Sequence, residues 1–221
     1  MDSQTRPMRK DAAANRQRLL DAASELFAAR GLGVTLNDIA RHAGVGVGTA
    51  YRHFPNKEAV IDALFEQRLE AVEAMAHQAL EEPDAWASLV RYLERTLQMQ
   101  IEDRGLDQIM NDLTLGDTRI NDVRVRIAPL VVQLVDRAKQ QGTLRPDFAP
   151  TDVAFLQTAL SAIMDSSRDL APDLYKRYLT YLLDGLRADR PDPTPLPVPP
   201  LTSEVTHAAM TRQRRLSRRQ D

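Results

Sequence analysis

Apolar side chains recur along most of this 221-residue chain at intervals of three and four residues, and this spacing limits what the chain can fold into. The sequence offers no convincing alternation of apolar and polar residues of the kind that marks a β-strand. Turn residues such as Gly31, Gly44, Pro55, Pro83 and Gly142 divide the pattern into segments. Because this period places apolar side chains on one face of a helix, the sequence predicts an all-α fold.

The turn residues and possible caps define the expected helices. The first helix is expected over 11–30, where Gly31 follows as a C-cap, and Thr35 is a suitable N-cap for a short second helix. A third short helix is expected to end before Pro55, and Asn56 is suited to cap a long fourth one. Further helices are predicted over 84–101, 106–115, 118–141 with a kink or break at Pro129, 152–164 and 172–186.

Charge is unevenly distributed along the chain. Residues 1–57 hold 9 basic and 5 acidic residues, whereas residues 58–190 hold 15 and 23. A basic segment on an acidic body is expected if only that segment approaches a polyanion such as DNA. The chain has no cysteine, which excludes disulfides, zinc-thiolate sites and thiol catalysis and agrees with a cytoplasmic location. No apolar run approaches the roughly 18 residues of a membrane span, so no membrane association is expected.

These patterns predict four segments. Residues 1–10 are expected to be a basic flexible arm, and 11–57 a three-helix, helix-turn-helix DNA-binding domain. Residues 58–189 are expected to form a helical ligand-binding and dimerisation domain. Proline makes up much of 191–200 and arginine recurs near the end, so 190–221 is expected to be a disordered tail.

The most informative stretch is 34–64, VTLNDIARHAGVGVGTAYRHFPNKEAVIDAL. Two short helices joined by a tight turn need a small residue where their backbones approach and a glycine that accepts positive φ. Ala40 and Gly44 have the required types and spacing. Ile39 and Phe54 can then pack inward, which leaves the opposite side of the second helix free to enter a DNA groove.

This stretch resembles the headpiece of the TetR family of transcriptional regulators, whose pattern is T-x-x-x-I-A-x-x-A-G-V-x-x-G-T-x-Y-x-H-F-x-x-K-E. Every fixed position of that pattern is matched between Thr35 and Glu58. The resemblance implies a DNA-binding regulator, usually a repressor, that binds an inverted-repeat operator as a homodimer and is released by a small-molecule effector. It implies no enzymatic activity and no cofactor or metal. Gly46 departs from the family by standing where a better N-cap such as Ser is common.

The resemblance also implies roles for individual residues. Residues expected to hold the DNA backbone are Thr49, Tyr51, His53 and Lys57, and those expected near base edges are Asn37, Val47, Gly48 and Arg52. Four of them have a structural alternative: Tyr51 as a core aromatic, His53 as a packing partner of Phe54, and Arg52 and Lys57 as solvated surface charges.

The body of the chain supplies candidates for effector binding and for dimerisation. Residues that could line an effector pocket are Met75, Trp86, Met99, Met110, Phe155 and Met164, although each is equally explained as ordinary core. A two-fold, four-helix interface is expected from Leu156, Ala159, Leu160, Ile163, Tyr175, Leu179, Leu182 and Leu186.

Two other classes of protein compete with this interpretation. An enzyme is disfavoured because the sequence has no phosphate-binding loop or nucleophile elbow, and its nearest match to a di-iron motif, Glu73 with His77, is single and wrongly spaced. A DNA-binding protein that responds to a protein partner, or binds constitutively, remains an open alternative.

Overall fold

The structure, a computed structural model, describes residues 5–102, 125–189 and 194–217. Within these ranges the chain is helical apart from turns, extended linkers and one isolated antiparallel bridge between Leu144 and Arg187, which confirms the all-α prediction. The helices are α1 (Thr5–Arg30), α2 (Leu36–His42), α3 (Val47–His53), α4 (Lys57–Leu80), α5 (Ala85–Glu102), α6 (Ala128–Gln140), α7 (Asp152–Ser167), α8 (Leu174–Leu186) and α9 (Ser203–Ser217).

The chain divides into two compact units. We call the described residues of the first, 5–68, the headpiece, and those of the second, 69–102, 125–189 and 194–217, the body. The division falls inside α4 and not at its start, where the sequence analysis placed it. The first half of α4 belongs to the headpiece because its apolar side chains, including Val60, Ile61 and Leu64, are buried there.

The headpiece core is built on α1. Leu19, Ala23 and Phe27 lie on one face of this helix and are fully buried, as their spacing predicts. Against α1 pack both α2 and α3, whose Ile39 and Ala50 are also fully buried. Gly31 has φ 61° and ends α1, in the left-handed conformation expected of a C-capping glycine.

The first helix begins earlier than predicted. It starts at Thr5, so residues 5–10 of the expected flexible arm are helical in backbone. Pro7 lies in the first turn, where its missing N–H has no helical partner to lose and its fixed φ suits the helix. Alanine and other good helix formers follow, so the helix extends through this segment.

In the body, α5 packs against α6 and α7, and α8 packs against α7. Residues 125–126 are helical, Ile127 is a turn and α6 begins at Ala128 with Pro129 in its first turn, so the helix breaks next to Pro129 as predicted. The helix predicted over 106–115, and the part of its successor before residue 125, lie outside the described residues.

The tail is not wholly disordered, which corrects the prediction from composition. Helix α9, Ser203–Ser217, follows the proline-rich linker. The Thr202 hydroxyl accepts a hydrogen bond from the Val205 N–H at 3.3 Å, as an N-cap would, and Thr206 is buried. Proline disrupts a helix where it stands and in the turn before it, and residues 201–221 contain none.

A capping box starts α2. The Thr35 hydroxyl accepts from the Asp38 N–H at 3.2 Å, and the Asp38 carboxylate accepts from the Thr35 N–H at 3.1 Å. We expect Thr35→Ala to lower the free energy of unfolding by about 1 kcal/mol, because it leaves the Asp38 N–H without its cap. Urea unfolding followed by circular dichroism measures this, with Thr35→Ser, which keeps the hydroxyl, as control. An equal loss in both variants would contradict the capping role.

Candidate nucleic-acid interface

A tight turn joins α2 to α3. Gly44 has φ 64°, the left-handed conformation that glycine adopts without steric cost. The Val45 N–H donates to the Ala40 carbonyl at 2.9 Å and the Gly44 N–H donates to Arg41 at 3.3 Å, which satisfies carbonyls at the end of α2. Ala40 is fully buried. The spacing of Ala40 and Gly44 thus indicated a real helix-turn-helix.

Helix α3 separates sharply into a buried and an exposed side. Ala50 and the C-cap Phe54 are buried, whereas Gly48 and Arg52 are exposed. Val47 and Tyr51 are 47% and 48% exposed, large fractions for apolar side chains on a short helix. Tyr51 is therefore not a core aromatic. An exposed helix face that carries apolar, hydroxyl and guanidinium groups has the chemistry needed to contact a DNA groove.

The polar groups of this face are close together. The Arg52 guanidinium donates to the Thr49 hydroxyl at 2.8 Å, one turn away, and Thr49 and His53 are each half-buried. No side chain caps α3 at Gly46, although the Gly46 carbonyl accepts from the Thr49 N–H at 2.8 Å. The departure from the family pattern at Gly46 therefore costs the helix a side-chain cap.

Two predicted contact residues lie on neighbouring helices. Asn37 is exposed in the first turn of α2, and Lys57 is half-buried at the first position of α4. The Asn56 side chain accepts from the Ala59 N–H at 2.8 Å and so caps α4, as the sequence predicts.

Side-chain contacts hold both short helices against α1. The Arg16 guanidinium lies 5.3 Å from the centre of the Phe54 ring, at the end of α3, in a cation–π arrangement. His42 Nε2 lies 2.7 Å from a carboxylate oxygen of Glu25, which connects the end of α2 to α1. These two contacts connect both short helices to α1.

The capping box also affects the ionisation of the Asp38 carboxyl. The Thr35 hydroxyl, followed by the Thr35 N–H, lowers the pKa of the Asp38 carboxyl below its ordinary value. A lowered pKa in the folded state means that this interaction stabilises at neutral pH and is lost as the pH falls through the folded pKa. The start of α2 is therefore fully capped at neutral pH.

Two family models match the chain in succession. One, described as bacterial regulatory proteins of the tetR family, matches residues 19–64. The other, described as the C-terminal domain of SbtR-like transcriptional regulators, matches residues 83–188. The first covers the helix-turn-helix and the second most of the body.

Solved structures agree with both matches. A TetR transcription regulatory protein from Mycobacterium vanbaalenii is 31% identical, with a TM-score of 0.62 over 82% of this chain and 99% of its own. The chain belongs to the TetR family. A TetR transcriptional regulator from Streptomyces coelicolor is 30% identical, also with a TM-score of 0.62, over 79% of this chain and 99% of its own. This TetR-family protein is therefore a DNA-binding transcriptional regulator.

A curated relative matches over a short stretch of the chain. An HTH-type transcriptional regulator from Staphylococcus aureus is 49% identical over 51 residues, which are 23% of this chain and 28% of the relative. The match thus spans less than a third of that protein. It supports the DNA-binding assignment and carries no information on what the body of this TetR-family regulator recognises.

The predicted pocket residues do not all converge. Met75, Met99, Phe155 and Met164 are half-buried in the body, and Met110 lies outside the described residues. Trp86 lies in the first turn of α5 under the Arg187 guanidinium, 4.6 Å from the ring centre. The helical rise separates Trp86 from Met99, on the same helix, by about 20 Å. These two side chains therefore cannot line one compact pocket together.

The predicted dimer residues fall into two groups. Leu156, Leu160, Tyr175 and Leu179 are at most 9% exposed and form part of the core of the single chain, which corrects their assignment to the interface. Ala159 and Leu182 are exposed, and Ile163 and Leu186 are half-buried. Only this second group lies where a partner could touch it.

Two exposed aromatic residues of the same face were missed. Tyr178 and Tyr181 are 42% and 57% exposed on α8, with ring centres 6.4 Å apart in an edge-to-face arrangement. Tyr181 and Leu182 follow Tyr178 by three and four residues, so the helical spacing in the sequence already placed all three on one side of α8. We call Ala159, Tyr178, Tyr181 and Leu182 the α7/α8 face.

Nothing in the described ranges indicates metal or membrane chemistry. Among the residues that the structure describes, no three His, Cys, Asp or Glu side chains cluster as metal ligands would. The described helices include none that combines the length and the apolar character of a membrane span. Glu73 accepts from the Arg126 guanidinium at 2.6 Å, an ion pair that engages the one carboxylate considered for an enzyme site.

Proposed function

We propose that this regulator is a cytoplasmic homodimeric repressor that binds an inverted-repeat operator and is released from it by a small, largely apolar effector. In this proposal α3 enters the major groove. Val47, Gly48, Arg52 and, from α2, Asn37 lie near base edges, whereas Thr49, Tyr51, His53 and Lys57 hold phosphates.

The exposed face of α3 is the observation that carries the proposal. Val47 and Tyr51 are nearly half exposed, and exposure of apolar side chains to water does not stabilise the folded protein. On DNA, a thymine methyl group or a sugar would give these side chains apolar contact. The Arg52 head group is held by the Thr49 hydroxyl and is thus oriented along the same face. The rest of α3 packs against α1 and α2, which gives the face a rigid support.

Selection of bound fragments from random DNA by the purified full-length protein tests this function directly. The expected product is a short inverted repeat whose half-site centres are about 34 Å apart along the duplex, because two recognition helices of a dimer occupy successive major grooves on one face. Recovery of no preferred sequence at moderate salt would contradict sequence-specific binding. The selected repeat then serves as the operator in the experiments below.

Lys57 and Arg52 are expected to differ in how they contribute to operator binding. Lys57→Ala should weaken binding to all sequences and reduce the salt slope by roughly 1, because one phosphate contact fewer releases one counterion fewer. Arg52→Ala should cost about 1–3 kcal/mol and relax preference at one position of each half-site. Fluorescence anisotropy at several salt concentrations measures both.

Lys176→Ala is the matched control for Lys57→Ala, because it removes the same charge from an exposed position of the body. It should leave the salt slope unchanged. If both headpiece variants bind the operator as tightly as the unmodified protein and keep its circular dichroism spectrum, the DNA-contacting face lies elsewhere.

The effector part of the proposal rests on the half-buried methionines of the body, Met75, Met99 and Met164, whose side chains adapt to apolar ligands. A thermal-shift screen identifies ligands, since a molecule that binds only the folded protein raises the melting temperature. Each ligand found is then titrated into the protein–operator complex. Strong stabilisation without any loss of operator binding, across several chemical classes, would instead favour a constitutive regulator or one that answers to a protein partner.

A further inference from the structure

The tail is attached to the body along α7. The Arg145 guanidinium donates to the Thr194 carbonyl at 3.0 Å, the Thr151 hydroxyl to the Leu201 carbonyl at 3.0 Å, and the Thr158 hydroxyl to the Met210 sulfur at 3.7 Å. These contacts follow the same order in both segments. The tail therefore runs beside α7 in the same direction, although the family model for the C-terminal domain ends at residue 188.

The contact between Arg145 and the Thr194 carbonyl is supported by further contacts of Arg145. Arg145 is 12% exposed in its side chain and forms a two-point ion pair with Asp147, at 2.5 and 2.8 Å. It also donates to the Gly185 carbonyl at 3.3 Å, near the end of α8. The hydrogen bond with Arg145 lowers the pKa of the Asp147 carboxyl, so both groups are charged at neutral pH. The guanidinium that holds the start of the tail is thus itself held in place by the Asp147 carboxylate and the Gly185 carbonyl.

The tail lies on the solvent side of α7. By helical spacing, Thr151 and Thr158 are opposite the buried Leu156 and Leu160. Ala159 and Ala162 lie between these two sides and remain exposed. Small residues there allow another helix to approach α7 closely.

Both α8 and the tail, which contact α7, carry exposed apolar side chains. Helix α8 exposes Tyr178, Tyr181 and Leu182, as described above. In the tail, Leu201, two residues before α9, is 41% exposed, and Val205, in the first turn of α9, is 49% exposed. Two segments that contact α7, namely α8 and the tail, thus each expose apolar side chains.

We propose that α9 is a third helix of the homodimer interface, in which Leu201 and Val205 contact a second copy of this chain. This inference rests on the homodimer of the proposed function. Helices α7 and α8 have 16 and 13 residues, of which only the outward-facing positions can reach a partner. A stable interface takes roughly 20–30 residues from each side. The tail lies against α7, the helix on which α8 also packs, and supplies the additional positions.

The absence of cysteine from the sequence gives a direct test, because Val205→Cys introduces the only thiol. In the full-length dimer we expect this thiol to react with a maleimide at least about tenfold more slowly than the thiol from Ser203→Cys. Ser203 is exposed at the first position of the same helix and so is the matched control. Combination with Leu182→Glu, which is designed to separate the subunits, should abolish the difference in rate.

A charge at the same position provides a second measurement. Val205→Glu should weaken dimerisation about tenfold or more in sedimentation equilibrium, whereas Ser203→Glu should leave it unchanged. Equal thiol rates in an intact dimer, or protection that persists in the Leu182→Glu monomer, would overturn the role of α9 and leave the proposed repressor standing. A wild-type chain that stays monomeric at micromolar concentration would instead remove the proposed homodimer as well.

Discussion

Leu182→Glu is expected to convert the dimer into a monomer and to lower operator affinity by at least about 100-fold, since a lone headpiece loses the gain from two linked half-sites. Leu182 is 38% exposed beside Tyr178 and Tyr181, so the carboxylate does not enter the core of its own chain. In the dimer the same carboxylate would be buried against apolar side chains without a partner, which is strongly unfavourable. Sedimentation equilibrium and anisotropy with the selected operator measure the two effects.

Thr180→Glu is the control for this experiment. Thr180 is exposed on α8, and its hydroxyl donates to the Lys176 carbonyl of its own helix at 2.9 Å. The substitution adds the same charge to the same helix outside the α7/α8 face and should leave dimerisation and operator affinity intact. A Leu182→Glu protein that remains dimeric would show that the two-fold axis lies on another surface.

The helix-turn-helix could be predicted from the sequence because its determinants are local. Thr35 caps α2 through a residue three positions away, and Gly44 adopts positive φ within the turn itself. Ala40 is small where the two helices approach, a requirement of the turn geometry that does not depend on the rest of the chain. A short segment therefore specified both the helices and the side that stays exposed.

The dimer face could not be predicted with the same accuracy because helical periodicity marks an apolar side without saying what covers it. Tyr175 and Leu179 share a stripe with Tyr178 and Leu182, yet the first two are buried in their own chain and the others are exposed. The difference depends on how α8 rotates against α7, which long-range packing decides. The division between core and interface is thus a tertiary property.

Two other differences have separate causes. The tail was expected to be disordered because prolines dominate its first part, but Thr151 holds the segment just before α9 and Thr158 contacts Met210 within it. Tertiary contacts of this kind commonly decide whether a weak helix forms. The pocket prediction joined Trp86 to Met99, although their separation on a single helix, about 20 Å, follows from the sequence once α5 is recognised.

Phe27→Ala is expected to lower the free energy of unfolding of the headpiece by about 3–5 kcal/mol. Phe27 is fully buried on α1, among Leu19, Ala23 and Ile39, which are fully buried as well. Removal of the ring leaves a cavity that such a packed core closes only in part. Because small units are only marginally stable, a loss of this size should unfold much of the headpiece at physiological temperature and abolish operator binding.

The single tryptophan makes it possible to follow the two units separately. Trp86 belongs to the body, so its fluorescence reports unfolding there, whereas circular dichroism reports helix loss in both units. Phe27→Ala should lower the temperature of the first circular dichroism transition and leave the fluorescence transition in place. Leu89→Ala, which removes a fully buried side chain in the body, should shift the fluorescence transition instead.

Phe27→Leu completes the design, because it keeps most of the apolar volume and should cost much less than Phe27→Ala. Since the α7/α8 face is unchanged, the Phe27→Ala protein should still sediment as a dimer although it fails to bind the operator. Leu182→Glu is expected to give the opposite result, a monomer with a folded headpiece. An equal shift of both transitions in Phe27→Ala would mean that headpiece and body unfold as one cooperative unit. In that case loss of the headpiece core would destroy dimerisation too, because helix α4 contributes residues to both units and unfolding at its start would propagate along it.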